Sequence, residues 1–370
     1  MKFSIENSEL SSKLALAART LATGGVNPAL GGILVSAEEG RLSFSSTDGN
    51  MSLKAPVHVD GAIEGDGRVL LPGRLFSDIS RLLGSGRAEI EYRPAERDVA
   101  IHSGSSNFHI RTLSSDDFPP LPTAGTDPIR LSRDSLIETI DLVARAASRE
   151  DMRPVLTSVQ VLASGDMLTM VATDSYRLAV KETKLKEPVA VEIDKNIPAQ
   201  ALKELSKLLA ASDSEAVSLT ITDREVIFVV DGTVLSTTTV DGQFPNYQQL
   251  FPETYEHDVR LPRTELLESV KRVSQMAQKN RPLKVSLTPG EITISAETPD
   301  LGDAEEKLPA AFEGEELSIG FNHEFFKDGI EAVRGDEVLL RLISPLRPGL
   351  LEPIESDGFR YLVMPIRLNE

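Results

Sequence analysis

Side chains able to do acid–base, thiol or metal chemistry are few in this chain of 370 residues. The five histidines are His58, His102, His109, His257 and His323. They form no HExxH motif and no paired ligand spacing, so the sequence predicts no metal site. Cysteine is absent, which excludes disulfides, thiol catalysis and cysteine-ligated zinc or iron–sulfur centres. No GxxxxGKS or GxxxxGKT phosphate loop is present either, and we expect no cofactor.

Two aspartates, Asp48 and Asp174, stand 126 residues apart, and each directly follows a threonine. One hypothesis is an enzyme that uses one of them in an active site between domains, because a positioned carboxylate can transfer protons. No histidine, cysteine or phosphate loop stands at a convergent position to support it. An aspartate in a turn also accepts hydrogen bonds from nearby backbone amides, and we favour this turn role.

An acidic run near the end of the chain could suggest a calcium site. It consists of Glu297, Asp300, Asp303, Glu305 and Glu306. The run lacks the ligand order and the glycine placement of an EF-hand loop. We therefore predict a solvated loop or an electrostatic contact surface.

The chain repeats itself with a constant offset, and this repetition organises the whole sequence. Residues related by 126 positions are Phe3 and Ile129, Leu10 and Leu136, Pro28 and Pro154, Thr47-Asp48 and Thr173-Asp174, Pro72 and Pro198, and Phe118-Pro119 and Phe244-Pro245. A fainter third copy is shifted by a further 128 to 130 residues. We predict three domains, 1–125, 126–254 and 255–370, joined by the proline-containing linkers 118–128 and 244–252.

Each repeat has the same order of elements. A short strand leads to an N-cap candidate, which is Ser8, Ser132 or Thr264, and then to an amphipathic helix. The apolar positions of these helices are Leu10, Leu14, Ala17, Ala18 and Leu21, then Leu136, Ile140, Val143 and Ala144, then Leu266, Val270 and Val273. Second helices are predicted over 73–83, 199–210 and 322–334. Alternating strands include 168–172, 177–181, 217–222 and 226–230. The fold class is therefore α+β, with two helices on antiparallel sheets in each of three domains.

The net charge of −18, from 39 basic and 57 acidic residues, argues against a protein that simply coats nucleic acid. The charge is distributed unevenly, however. The helix-containing windows 8–21, 73–87, 133–149, 199–210, 263–281 and 322–334 carry +6 over 90 residues, which leaves −24 for the other 280. These helix faces are either ordinary solvated faces or a shared surface that faces a polyanion without reading its sequence.

The C-terminal residues 361–368 are unusually apolar for a chain end. They form either a final strand with Leu362, Met364 and Ile366 on one face, or an apolar tail on a sheet edge that forms a groove for a short peptide. Pro365 favours an edge, because proline cannot donate to a strand ladder. The chain start lacks a secretory signal pattern and no apolar run is long enough to span a membrane, so we expect a soluble cytoplasmic protein.

Four segments of the sequence resemble one known family. They are Met1-Lys2-Phe3-Ser4-Ile5, Ala172-Thr173-Asp174-Ser175-Tyr176-Arg177-Leu178-Ala179, Phe244-Pro245-Asn246-Tyr247 and Val363-Met364-Pro365-Ile366-Arg367-Leu368. The family is the bacterial β sliding clamp, the processivity subunit of DNA polymerase III, and the resemblance covers the whole chain. It implies a non-catalytic, head-to-tail homodimer closed into a ring of six domains. Helices would line a hole for duplex DNA, and short peptides of the replicative polymerase, the clamp loader and repair proteins would bind in a groove.

The resemblance also implies three sets of site residues. The peptide groove would comprise Leu156, Thr173, Ser175, Tyr176, Arg177, Leu178, Pro245, Gln249, Leu250, Leu362, Met364, Pro365, Ile366, Arg367 and Leu368. Contacts with DNA would come from Lys13, Arg19, Arg74, Arg81, Arg149, Arg153, Lys203, Lys207, Lys271, Lys279 and Arg281. The dimer interface would include Phe108, Ile110, Met276, Asp303, Glu305 and Glu306.

The chain departs from the family pattern inside two of these sets. Gly-His is common in the family where Ser175-Tyr176 stands, and arginine is common where Gln249 stands. Ser105 and Asn107 occupy positions where two arginines occur, so His102, His109 and Arg111 are expected to replace them. A further hypothesis, from a different functional class, is a peptide-binding scaffold unrelated to DNA.

Overall fold

The computed structural model describes residues 1–25, 27–125, 128–277 and 281–368. Its helices are α1 (Asn7–Ala17), α2 (Gly73–Leu82), α3 (Arg133–Val143), α4 (Ala199–Ala210), α5 (Arg263–Val273) and α6 (His323–Ala332). The strands in the first half of the chain are β1 (Lys2–Glu6), β2 (Gly32–Glu38), β3 (Arg41–Thr47), β4 (Met51–Val57), β5 (Gly67–Pro72), β6 (Arg87–Arg93), β7 (Asp98–Ser103), β8 (Ser106–Arg111), β9 (Ile129–Ser132), β10 (Ser158–Ser164), β11 (Met167–Thr173) and β12 (Arg177–Lys184). Those in the second half are β13 (Ile193–Pro198), β14 (Ala216–Ile221), β15 (Glu225–Val230), β16 (Thr233–Thr238), β17 (His257–Pro262), β18 (Leu283–Thr288), β19 (Glu291–Thr298), β20 (Gly302–Pro309), β21 (Leu317–Phe321), β22 (Glu337–Leu342), β23 (Gly349–Pro353), β24 (Phe359–Val363) and β25 (Pro365–Ile366).

The chain forms two compact units, and the first consists of Met1–Arg133 and Glu204–Thr239. It contains a four-stranded sheet in the order β1-β6-β7-β8 and an eight-stranded sheet in the order β5-β2-β3-β4-β16-β15-β14-β9. Helices α1 and α2 pack against each other in this unit. The pairing of β4 with β16 joins strands of the first and second repeats into one sheet.

The second unit consists of Asp134–Lys203 and Val240–Glu370. Its eight-stranded sheet has the order β13-β10-β11-β12-β24-β23-β22-β17, and its five-stranded sheet has the order β20-β19-β18-β21-β25. Helices α5 and α6 pack against each other here. The strand pairs of both units are antiparallel, which confirms the α+β class with helices on antiparallel sheets. The three-domain boundaries stay a prediction.

The apolar helix faces predicted from the sequence form the cores of the two units. In α1, Leu10, Leu14 and Ala17 are fully buried, and the predicted positions of α3 and α5 are buried as well. The predicted Ala18 and Leu21 lie beyond the end of α1, where Leu21 is buried but Ala18 is only half-buried. The second helices also occur where they were predicted, and α4 matches its predicted range to the residue. Burial of these faces is what stabilises helices that are only 10 to 12 residues long.

Two of the three predicted N-caps are wrong. Ser8 and Thr264 lie inside the first turns of α1 and α5, because each helix follows its preceding strand without a break. A distant carbonyl satisfies the first helical amide instead. The backbone N–H of Asn7 donates to the carbonyl of Gly86 at 2.9 Å, and that of Arg263 donates to the carbonyl of Asp336 at 2.8 Å. The same bond recurs at α3, where the amide of Arg133 donates across 3.0 Å to Glu215.

Gly329, in the middle of α6, allows a close approach between the helix and strand β24. A Cβ added there would lie 2.6 Å from side-chain atoms of both Leu351 and Tyr361. We expect Gly329→Ala to lower the free energy of unfolding by about 1–3 kcal/mol through overpacking, although alanine is the better helix former. Urea denaturation measures this change.

The matched control for this substitution is Gly84→Ala, because a Cβ at Gly84 meets no atom within 4 Å. We expect its effect on the free energy of unfolding to be within about 0.5 kcal/mol. Equal stabilities for the two variants would contradict the close packing of α6 on β24.

No helix within the described ranges is long and apolar enough to cross a membrane. In the same part of the chain, no group of three or more histidine, aspartate or glutamate side chains is arranged to hold a metal ion.

Candidate functional site

The two Thr-Asp dipeptides form the same turn, once in each unit. In the second unit, the Thr173 hydroxyl donates to the carbonyl of Arg177 at 2.6 Å. One carboxylate oxygen of Asp174 accepts the backbone N–H groups of Tyr176 and Arg177, each at 3.0 Å. In the first unit, Asp48 accepts the amides of the second and third residues after it at 2.8 and 2.7 Å. The predicted turn role is confirmed for both aspartates. Asp48 and Asp174, which the enzyme hypothesis required, each accept two backbone amides of their own turn.

The C-terminal tail is divided between the two sheets of the second unit. Strand β24 ends at Val363, and β25 then adds to the edge of the five-stranded sheet beside β21. Between them, the backbone N–H of Met364 donates to the carbonyl of Tyr176 at 2.8 Å. The alternative of one final strand with Leu362, Met364 and Ile366 on one face is therefore wrong. Leu362 is buried in one sheet, and Ile366 belongs to the other.

An apolar surface lies where the tail meets the Thr173 turn. Its floor is a buried cluster made of Val171, Leu178, Val180, Phe244, Leu350 and Leu362. Three large apolar side chains are exposed on the segments that border this cluster, namely Tyr176 at 66%, Leu250 at 47% and Met364 at 41%. A buried apolar floor with exposed apolar side chains around it is the arrangement expected of a site for a partner's side chains. We call this apolar surface the groove.

The structure brings most of the predicted groove residues together but gives them different roles. Leu178 and Leu362 lie in the floor, whereas Pro245, Gln249 and Leu250 are exposed on the segment after Phe244. Thr173 is buried by its own turn, and Ser175 takes the left-handed conformation with φ of 77°.

Leu156 is buried, but its neighbour Val155 is the residue that packs on the floor cluster. The sequence reasoning also missed Tyr247 and Phe251, which pack on the same cluster. Their signal was present, since an aromatic residue recurs every three to four positions after Phe244.

The last predicted groove residues line a separate cavity of about 1410 Å³. Ile366, Arg367 and Leu368 form one wall of this cavity, and Pro282 and Leu346 are among the residues on its other walls. Gly320 lies under this part of the tail, where a Cβ would come within 2.9 Å of Leu368. The tail therefore borders both the groove and this cavity.

The predicted linker 244–252 is packed against the second unit. Tyr247–Leu250 forms a 3-10 turn, and Phe251 stacks under the guanidinium of Arg360 at 4.4 Å. Four residues further on, Tyr255 lies under Arg341 at the same distance. These cation–π contacts hold the segment that carries Gln249 and Leu250.

Arg177 is only 6% exposed, and its guanidinium points into the protein. It donates to Asp174 at 3.0 Å and to Asp328 of α6 at 2.6 Å, and it lies 4.3 Å from the ring centroid of Phe325. Burial opposes its charge, but the hydrogen bond to Tyr361 and the carboxylates of Asp328 and Asp174 raise the pKa of Arg177 above its ordinary value. Burial also raises the pKa of the Tyr361 phenol, which stays neutral and donates to the carbonyl of Phe325 at 3.0 Å.

The predicted DNA-contact residues of the first unit lie on or beside helices. Lys13 lies 3.9 Å from Glu9, and Arg81 pairs with Asp78. Arg19 and Lys207 both approach Glu204, at 3.8 and 2.8 Å. Arg74 is exposed on α2, two turns before Arg81.

In the second unit, Arg149 and Arg153 are exposed on the loop after α3, and Arg281 is exposed before β18. Lys271 pairs with Glu268 at 3.0 Å. Lys203 is half-buried on α4, and Lys279 lies outside the described residues. The −1 charge of window 322–334 has a structural cause, because Asp328 and Glu331 of α6 pair with Arg177 and Arg145.

The predicted interface residues lie near two sheet edges, β8 in the first unit and β20 in the second. Asp303 and Glu305 are exposed on β20, whereas Glu306 accepts two hydrogen bonds from Arg272, each 2.7 Å long. These bonds hold the pKa of Glu306 below its usual range.

The side chain of Ile110 is buried in its own core, so Phe108 is the partly accessible member of these two apolar residues of β8. Met276 is half-buried after α5. The sequence reasoning missed an apolar stripe on the exposed face of α2, formed by Leu75, Ile79 and Leu82. Leu75 is 49% exposed and Leu82 is 82% exposed, whereas the buried face of the helix carries Gly73, Phe76, Ser77 and Ser80.

Comparison with known proteins places the whole chain in one group. The N-terminal, central and C-terminal domain models of the DNA polymerase III beta subunit match residues 1–122, 130–246 and 248–367. The Beta sliding clamp of Streptomyces coelicolor is 34% identical, with 100% of both chains covered. The DNA polymerase sliding clamp of Bacillus subtilis superposes over 100% of both chains with a TM-score of 0.92 and 29% identity. A sliding clamp of Pseudomonas aeruginosa, solved bound to griselimycin, does so with a TM-score of 0.90 and 26% identity.

Proposed function

Because the chain belongs to the DNA polymerase III beta subunit family, and is thus a sliding clamp, we propose that two copies close head to tail into a ring around duplex DNA. The ring confers processivity on the polymerase and recruits replication and repair proteins through short peptides bound in the groove. It is a processivity factor and not an enzyme. The observation that carries the proposal is that each unit has a smaller sheet with a free edge strand, β8 at one end of the four-stranded sheet and β20 at one end of the five-stranded sheet. An edge strand without a partner is a template for pairing with another chain.

The two edges have complementary side chains. Strand β20 exposes Asp303 and Glu305, whereas His102, His109 and Arg111 are exposed on β7 and β8. In a head-to-tail contact, the β8 edge of one copy meets the β20 edge of the other, and the ring closes when the second contact repeats the first.

Apolar surface accompanies the β8 edge. The Asn7 side chain donates to the carbonyl of Gly84, just after α2, and to the hydroxyl of Ser103 at the end of β7. The apolar stripe of α2 therefore lies close to the β7–β8 hairpin and extends the surface that a second copy would cover. Half-buried Met276 is the apolar residue offered from the other side.

The test of ring closure is retention on DNA of different topology. A labelled clamp is loaded onto nicked circular plasmid by the clamp loader of the same host, and the plasmid is then cut once. We expect the clamp to stay on the circle and to leave the linear product from its ends. Equal retention on both forms would refute encirclement.

Charge reversal on the loop after α3 is expected to weaken the hold on DNA. Arg149 and Arg153 are both exposed there, so Arg149→Glu with Arg153→Glu removes two phosphate contacts without disturbing a core. The slope of the logarithm of the binding constant against the logarithm of the salt concentration should become less steep by about 0.9 for each contact removed, or by about 2 in all. The half-life of the loaded clamp on nicked plasmid, followed as NaCl is raised, measures this effect.

The matched control reverses two other exposed basic residues of the same unit, Lys184 and Lys186. Neither belongs to the proposed DNA surface, so Lys184→Glu with Lys186→Glu should leave the salt dependence of the half-life unchanged. If both double variants changed the salt dependence of the half-life equally, net charge alone would explain the effect, and the loop after α3 would have no specific role in DNA binding.

The proposed occupant of the groove is an extended peptide with apolar side chains. The buried floor and the exposed Tyr176, Leu250 and Met364 supply apolar contacts, and Gln249 supplies an exposed amide. Griselimycin is the probe for this site, because a Pseudomonas aeruginosa relative was solved bound to it. The family resemblance implies histidine where Tyr176 stands, and because Tyr176 is larger and uncharged, peptide preference is expected to differ here.

A further inference from the structure

Asp328 lies on α6 and is outside the proposed peptide-binding residues. It contacts Arg177, the residue at which the Thr173 turn and the tail meet. Arg177 begins β12 directly after the exposed Tyr176. Its backbone pairs with Val363, the last residue of β24, and the next tail residue, Met364, donates to the carbonyl of Tyr176. The Thr173 turn and the start of the tail therefore meet at Arg177.

The Arg177 side chain connects this meeting point to α6. Its guanidinium has two carboxylate partners, and only Asp328 lies on another element. Asp174 already accepts two backbone amides of its own turn. Without the Asp328 charge, the buried Arg177 guanidinium would keep one carboxylate partner, Asp174, which the turn amides also share. Because a buried charge without full compensation is destabilising, we expect the structure around Arg177 to rearrange.

Helix α6 is itself a fixed support. The Tyr361 hydroxyl donates to the carbonyl of Phe325 at 3.0 Å, and the ring of Phe325 stacks on the Arg177 guanidinium. Gly329 lets the helix approach Tyr361 of β24 closely. The position of Asp328 relative to β24 is thus set by packing, as a positioning group requires.

We infer that Asp328 is a positioning residue for the groove: by holding the Arg177 guanidinium against α6, it fixes the Thr173 turn and the first residue of the tail in the arrangement that binds peptides. The inference rests on the proposed function of the groove. Asp328 is not a contact residue, and its effect passes through Arg177.

The test is the near-isosteric substitution Asp328→Asn in the full-length protein, with griselimycin as the probe. We expect affinity measured by calorimetry to fall about tenfold, which corresponds to about 1.4 kcal/mol. The matched control is Glu324→Gln, which removes the same charge from an exposed position on α6 and should leave affinity within about twofold.

Methyl NMR of labelled methionines provides a readout that a loss of general stability would not reproduce. Met364 and Met167 have nearly equal exposure, at 41% and 40%, but only Met364 is hydrogen-bonded to the Thr173 turn. In Asp328→Asn, the Met364 methyl signal should shift while the Met167 signal stays in place. Glu324→Gln should move neither signal.

The outcomes separate the inference from the proposed function. Unchanged affinity together with an unmoved Met364 signal overturns the positioning role. A wild-type protein that binds no griselimycin refutes the groove as its site, and a Met364 shift in Asp328→Asn would then still support the positioning role.

If Asp328→Asn loses the native Met167 signal, Phe325→Leu replaces it as the test. It removes the ring from the guanidinium but keeps every charge of the network. We expect a smaller Met364 shift in the same direction. An unmoved Met364 signal in this variant would overturn the inference.

Discussion

Replacing Leu75 and Leu82 with aspartate is expected to convert the proposed dimer into a 40.2 kDa monomer. Both side chains are exposed on one face of α2, so the substitutions remove no core contact. In the proposed ring they would place two carboxylates beside the acidic β20 edge of the second copy. Loss of apolar burial and like-charge repulsion together should raise the dissociation constant at least about 100-fold, or about 2.7 kcal/mol.

Light scattering on a size-exclusion column, repeated over a dilution series, measures this change in mass. The control variant carries Met167→Asp and Val191→Asp, two substitutions of exposed apolar residues outside the proposed interface. It should remain dimeric at every concentration at which the unmodified chain does. If the variant with both α2 substitutions remained a dimer, this helix would not be part of the interface, even if the two edge strands pair.

Truncation after Met364 is the second change with a large expected effect. It removes β25, which pairs with β21 through only two residues, and it removes Leu368 from above Gly320. Strand β24 and its pairing with Arg177 stay in place, so the groove floor keeps its main strands. We expect griselimycin affinity to fall more than about 100-fold, because Met364 at the border of the groove loses the strand that anchors the tail on β21, while the proposed dimer remains.

Calorimetry with griselimycin measures the loss, and light scattering checks the dimer. A shorter truncation after Leu368 keeps every described tail residue and serves as the control, with binding retained. If truncation after Met364 left the affinity intact, the tail would have no role in the groove, and the exposed residues Tyr176 and Leu250 would have to account for binding.

The local features of this fold could be predicted from the sequence because they depend on nearby residues. Helical spacing identified the buried faces of α1, α3 and α5, and the 126-residue offset identified the repeated turn. The role of Asp174 followed from its side-chain chemistry, since an aspartate in a turn accepts backbone amides two and three residues ahead.

The features that could not be predicted depend on residues far apart in the sequence. The amide of Asn7 is satisfied by Gly86 and not by a neighbouring cap. The guanidinium of Arg177 turns inward because Asp328, 151 residues later, accepts its hydrogen bond. The exposure of Leu82 depends on which face of α2 packs inward. The face that does so carries Phe76 with Gly73, Ser77 and Ser80, and the apolar stripe that helical spacing would place in the core faces outward.

The repeated Thr-Asp turn makes the same backbone contact in both units, but the residues around that contact differ. In the first unit, the carbonyl of Asn50 accepts the N–H of Thr238, just as Tyr176 accepts that of Met364 in the second. In both units this bond extends a strand pairing by one residue, β4 with β16 in the first and β12 with β24 in the second. The side chains at the contact differ, because Tyr176 and Met364 are large, apolar and exposed, whereas Asn50 and Thr238 are polar. The same turn therefore presents a polar surface in the first unit and the apolar surface of the proposed peptide site in the second.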